Sequence, residues 1–320
     1  MMHKLFSAGH ALLIGIGGAD IPNTVDDAKA LADILKDPGR CAYLPENVHL
    51  LAGQTASRNS ILEAFDKLAQ TVDEKSAIII YFSGHGYRAA TSIGTAYFLI
   101  PYGCDPNRLS KTAISGSELV EKLRMLKSKK LLLLLDCCHA GGIGEAKGLD
   151  LMKAPMPPEA IEMFGGGSGQ VIIASSQENE LSYAGKPYSA FTLALIESFC
   201  GVGVAKRDRY VRVSDLAMHA REVVPGRTNN KQHPILHFEQ ADNFIIAYYA
   251  GGNQMPKALP FIENPEIEPE PGAWRTTIDQ RRQTLEGPQT NIFGNINGPV
   301  LSGNFSGPVK IEEIKKKTKL

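Results

Sequence analysis

Four short stretches are apolar almost without a break: Ala11–Ile16, Ile78–Phe82, Leu131–Leu135 and Val171–Ala174. A strand with one wet face alternates apolar and polar residues, so runs like these belong to strands buried on both faces. Segments of helical spacing lie between them. Val25–Asp37 carries Ala28, Leu31, Ala32, Ile34 and Leu35 on one side, and Ser60–Val72 carries Ile61, Leu62, Phe65, Leu68 and Ala69. Further strands are expected at Val48–Leu51 and Ala96–Ile100, and further helices at Ile114–Leu126 and Ser189–Phe199. This alternation predicts an α/β fold, a mostly parallel sheet covered by helices on both faces. In such sheets the chemistry collects at the carboxyl ends of the strands.

Charge narrows the function. Lys plus Arg number 34 and Asp plus Glu 34, so there is no basic surplus to displace counterions from a nucleic acid. No apolar run approaches the roughly 20 residues of a membrane-spanning helix. The start, Met1 to Phe6, lacks a signal-peptide core. The five cysteines, Cys41, Cys104, Cys137, Cys138 and Cys200, are odd in number and contain no C-x-x-C pair. They read as reduced thiols, and the expectation is a cytoplasmic protein with no nucleic-acid or membrane partner.

Three regions fall outside the alternation. Gly141–Gly169 is a long connection rich in proline and glycine, of the kind that is functional or mobile. Residues 251–290 form a Pro- and Glu-rich linker after a domain at 1–250. Residues 291–320 hold two copies of a nine-residue unit, Gly294–Ser302 and Gly303–Ile311, and a basic tail. Such a small β-repeat is marginal alone and suited to docking or self-association.

Two strand ends carry reactive side chains. Ile78–Phe82 runs into Ser83-Gly84-His85-Gly86, and Leu131–Leu135 into Asp136-Cys137-Cys138-His139-Ala140-Gly141. An imidazole and a thiol at neighbouring strand ends can meet across the crevice, which is what a cysteine nucleophile needs. A zinc site is disfavoured, because adjacent residues of an extended segment point to opposite sides and no second Cys/His group lies at ligand spacing. Gly15-Ile16-Gly17-Gly18-Ala19-Asp20 begins like a dinucleotide fingerprint, but Asp20 stands where the third glycine belongs.

Together the two blocks resemble those of the caspase-like cysteine peptidases, and most of all the metacaspase and prokaryotic orthocaspase branch. The resemblance covers roughly residues 8–250 and extends to Phe98–Tyr102, Ala174–Gln177 and Tyr188–Thr192. It implies a caspase-like sheet and a Cys-His dyad with Cys138 as nucleophile and His85 as general acid/base. It further implies that the backbone N–H groups of Cys138 and Gly86 form the oxyanion hole. Alternation puts Asp136 on the same side as Cys138. In the family, an acid there and another at the start of the first helix line the S1 pocket and select Arg or Lys. Asp27 matches that second position, with Asp26 its neighbouring candidate, and Ser83 matches a third pocket residue.

The expected function is therefore a cysteine endopeptidase that cuts protein substrates after basic residues. Bacterial relatives work in antiviral defence or programmed cell death, released by an upstream activator or small-molecule signal. Lys147 and Lys153 are candidate self-cleavage positions, and Lys206–Arg209 is a second basic turn. No cofactor is expected; calcium activates several metacaspases, but no dense carboxylate loop here compels a site. The competing reading is a non-catalytic scaffold that presents the C-terminal repeat to a partner.

Overall fold

The computed structural model describes residues 5–18, 21–91, 94–137, 151–153, 169–177, 180, 182–183, 185–238 and 241–260. The chain divides into two compact units, Met1–Ile267 and Glu268–Leu320, and every described residue belongs to the first. The nine-residue repeat and the basic tail lie outside the described residues.

The strands are β1 (Gly9–Gly15), β2 (Val48–Ala52), β3 (Ala77–Thr91), β4 (Gly94–Ile100), β5 (Ile114–Ser115), β6 (Leu131–Cys137), β7 (Leu151–Lys153), β8 (Gln170–Ala174), β9 (Tyr210–Arg212), β10 (Ile235–His237) and β11 (Ile245–Tyr248). The helices are α1 (Asn23–Lys36), α2 (Arg58–Thr71), α3 (Leu109–Thr112), α4 (Gly116–Arg124), α5 (Ala190–Phe199) and α6 (Val213–Arg227). The main sheet runs β10-β8-β6-β3-β1-β2, parallel except for the antiparallel edge strand β10. β9 and β11 form a separate antiparallel ribbon.

Neighbouring residues of each central strand go to opposite faces. Leu13, Ile79, Tyr81, Leu132 and Leu134 pack with α1, α5 and α6. Leu12, Ile14, Ile80, Phe82, Leu133 and Leu135 pack with α2 and α4. Each large apolar side chain buried this way contributes about 1.5–3 kcal/mol. The five leucines of β6 thereby outweigh the few kcal/mol that burying a hydrogen-bonded acid, Asp136, costs on the same strand.

Three local expectations need correction. β3 does not stop at Phe82; it continues through His85 to Thr91. Its first half is held in parallel between β1 and β6, and from His85 onward it pairs antiparallel with β4, which keeps its backbone groups satisfied. The helix expected from Ile114 starts at Gly116, because Ile114 pairs with Leu99 and the Ser115 Oγ accepts the Glu118 N–H at 3.2 Å as a helix cap. The connection 141–169 is not free of regular structure, since β7 lies within it and pairs with Tyr87–Ala89. Among the described residues, no helix is long and apolar enough to cross a membrane.

Candidate functional site

Register places the site. The parallel pairing of β1, β3 and β6 brings Gly15 beside Ser83 and Ser83 beside Asp136, with Gly84 beside Cys137 one step further on. These positions form the carboxyl edge of the parallel sheet. Ser83 and Asp136 share parity with Tyr81 and Leu134, so both face α1 and α5. Gly15 lets α1 close on that edge: an added Cβ there would collide with the Thr24 carbonyl. Asp27 then sits one turn into α1, buried, while Asp26 is exposed.

Asp136 is fully buried and accepts hydrogen bonds from the side chains of Ser175, Ser182, Ser189 and Thr192. Ser182 Oγ donates to its Oδ1 at 2.7 Å, and Ser189 Oγ and Thr192 Oγ1 donate to its Oδ2 at 2.6 and 3.2 Å. Ser189 also donates its backbone N–H to Asp27 Oδ1 at 2.9 Å, so a single residue joins the two carboxyl groups. Neither acid has an ion-pair partner among the described residues. Burial pushes both carboxyl groups above the ordinary range. Asp27 goes well above it, burial acting first and the Asp136 charge second. Asp136 is partly compensated by its hydroxyl donors.

His85 lies on β3 opposite Ile100 and is 4% exposed, with its ring 6.4 Å from that of Tyr87 in an edge-on arrangement. Gly86 follows it at the crossing with β4, where an added Cβ would collide with the Tyr97 hydroxyl. That same hydroxyl donates to Cys137 Sγ at 3.6 Å. Cys137 packs on the α2/α4 side, opposite to Asp136, and burial raises its thiol to about 12. Cys138 and Lys147 lie outside the described residues. Lys153 is in β7, its backbone paired with Tyr87. Among the described residues no group of three His, Cys, Asp or Glu is placed to hold a metal ion.

A family model described as a caspase domain matches residues 8–245. The chain belongs to the caspase-domain family. Its α/β sheet with helices on both faces is the caspase-like fold that the sequence predicted, and the family is one of cysteine peptidases that act on protein substrates. Similar solved structures include a structural-genomics target protein from Geobacter sulfurreducens, at 17% identity and TM-score 0.48, covering 72% of this chain and 92% of that one. Caspase-1 of Spodoptera frugiperda is similar at 14% identity and TM-score 0.42, covering 74% and 88%. No curated protein matches the chain.

Sequence reasoning did not single out the hydroxyl cradle of this caspase domain. Ser189 and Thr192 lie on the cap and first turn of α5, and Ser182 on the segment before it, where serine and threonine are ordinary. A buried Asp demanding donors was the one available signal, and it does not say which segment supplies them.

Proposed function

We propose that this caspase-domain chain is a cysteine endopeptidase of the metacaspase/orthocaspase type that cuts after Arg or Lys. The observation that carries the reading is the pair Asp27 and Asp136: two buried acids bridged by Ser189, with no cation beside them among the described residues. Buried carboxyl groups without a counter-ion are costly, and a site keeps them where a ligand brings the missing charge. A guanidinium suits the pair, since it offers parallel N–H donors to two carboxyl groups. Ser83, level with Asp136 on the next strand and equally buried, faces the same space. An aspartate side chain would be repelled by the same groups.

In this reading the Cys138 thiolate attacks the scissile carbonyl and His85 gives a proton to the leaving amine. The backbone N–H groups of Cys138 and Gly86 hold the oxyanion. Water then hydrolyses the thioester, with His85 accepting its proton. The high value of the Cys137 thiol favours Cys138 as the nucleophile of the two. By resemblance we assign the protease to a regulated defence or cell-death pathway; loss of viability on triggering the wild type but not Cys138→Ala checks that assignment.

The direct test compares fluorogenic peptides ending in Arg, Lys, Asp and citrulline, the neutral isostere of Arg. Cleavage after Arg and Lys, far faster than after citrulline and absent after Asp, and abolished in Cys138→Ala, is the expected result. Cleavage after Asp would overturn the pocket. A folded protein inert on every peptide would leave the scaffold reading in its place.

A further inference from the structure

Three of the hydroxyls on Asp136, those of Ser189, Thr192 and Ser182, have a second donor behind them. The Thr192 backbone N–H donates to Ser189 Oγ at 3.0 Å, and the Tyr81 hydroxyl lies 2.7 Å from Thr192 Oγ1. The third donor is remote in sequence. Gln232, fully buried between α6 and β10, directs its Nε2 to Ser182 Oγ at 3.2 Å and to the Ser175 carbonyl at 2.9 Å. Its Oε1 accepts the Tyr183 N–H at 2.8 Å. The amide therefore has both donors and its acceptor engaged, and all three partners belong to the 175–183 segment that delivers Ser182. Next to it, Glu180 accepts the His233 N–H at 2.7 Å and contacts the His233 ring, stitching the same two segments a second time.

The Ser182 hydroxyl has one proton and gives it to Asp136, so it can only accept from Gln232. That direction is fixed by chemistry: a neutral amide N–H, then an O–H, then a carboxylate. Such chains polarise each bond toward the charge at the end. A residue that merely filled space here would not need an amide, and a buried amide left unpaired is penalised.

We propose that Gln232 is a positioning residue for the specificity pocket, acting through Ser182 to orient Asp136 and hold its charge for a basic P1 side chain. The inference rests on the Arg/Lys pocket reading above. It makes the turn between α6 and β10 part of substrate selection although the hydrogen bonds of Gln232 go to Ser175, Ser182 and Tyr183 and not to Asp136 itself.

The experiment measures kcat and KM for matched Arg and citrulline peptides, with the iodoacetamide alkylation rate of Cys138 as a control that needs no P1 side chain. In full-length Gln232→Met the Arg-to-citrulline preference falls by about tenfold, through KM, while citrulline turnover and alkylation stay at wild-type values. Ser182→Ala gives the same loss, and the double variant adds little to either single one. If Gln232→Met does not fold, Gln232→Glu at pH 8 replaces it, since it keeps the oxygen facing Tyr183 and removes the amide. A wild type without Arg preference sinks the pocket reading and this inference with it. A wild type that prefers Arg, beside a folded Gln232 variant with an unchanged ratio, sinks this inference alone. Full additivity of the Gln232 and Ser182 losses also overturns it, because the two would then act by separate routes.

Discussion

At the scale of single residues, the chemistry turns on which of two neighbours carries a charge. Cys137 and Cys138 are adjacent, yet burial beside Tyr97 raises the Cys137 thiol to about 12. At pH 7.5 that leaves roughly three thiolates in 10⁵ molecules, too few to compete as a nucleophile. Iodoacetamide at that pH should label Cys138 and spare Cys137 in peptide mapping; the reverse pattern would invert the assignment. The two acids divide in the same way. Asp136 has four hydroxyl donors and Asp27 one backbone donor, and Asp27 is the more strongly raised. A folded state that holds a proton which the unfolded chain releases loses stability as pH rises from the ordinary carboxylate range toward the raised value. Asp27→Asn is therefore expected to raise the thermal midpoint at pH 7, with the gain vanishing near pH 4, while cleavage after Arg falls. A midpoint unchanged at pH 7 would show that Asp27 is ionised there at no cost. Stability given up at a functional position is a common trade.

At the scale of elements, α5 and α6 are joined by more than apolar packing. Glu197 on α5 accepts His219 Nε2 of α6 at 2.7 Å and is ion-paired to Arg227 at the end of the same helix. Burial by itself would raise the Glu197 carboxyl, but its bonds to His219 and Arg227 outweigh that and hold it below the ordinary value. Its stabilisation is present at neutral pH and is lost as pH falls through the lowered value. Removing one partner of a buried ionic cluster strands the others, so Glu197→Gln should cost about 3 kcal/mol in chemical denaturation at pH 7. The deficit should shrink toward low pH; a loss independent of pH would point to packing instead. Helix α6 itself was not anticipated from the sequence. The signal existed, since Val213, Leu216, Ala217, Ala220 and Val224 fall at helical spacing and are buried. Pro225-Gly226 interrupts that pattern in its last turn.

At the scale of the whole molecule, self-processing is a question of which segments can leave the fold. A peptide bond is cut in an extended form seated in the cleft, so a residue in a paired strand must first be released. Lys153 is held in β7 against Tyr87 of β3, the strand that carries His85. Cleavage after Lys153 would require β7 to open, whereas cutting after Lys147 does not break that pairing. Time-resolved intact mass spectrometry should show the Lys147 product before any Lys153 product. The opposite order would mean that β7 opens readily. Chain contacts also continue past Ala250: the Gly251 N–H donates to the Arg40 carbonyl, and Arg40 donates to the Ala258 carbonyl at 2.9 Å. This hydrogen-bonded strap carries the first unit beyond the last strand.

By itself, the sequence determined the two-faced sheet and the strand ends where chemistry collects. Those features follow from local periodicity: a residue's parity along a strand fixes its face, and an apolar run declares both faces buried. It also supplied Asp136 and Asp27 as pocket candidates, through alternation and resemblance. The tertiary structure decided that Asp27 is buried and Asp26 exposed, because α1 turns its apolar side, with Ala28 and Leu31, toward the sheet. It decided as well that Ser182, Ser189 and Thr192 gather on one carboxylate with Gln232 behind Ser182, since the first three lie 46, 53 and 56 residues from Asp136 and Gln232 lies 50 from Ser182. Hydrogen bonds across such distances leave no periodic trace, and only the packed fold selects among many serines the ones that a buried charge requires.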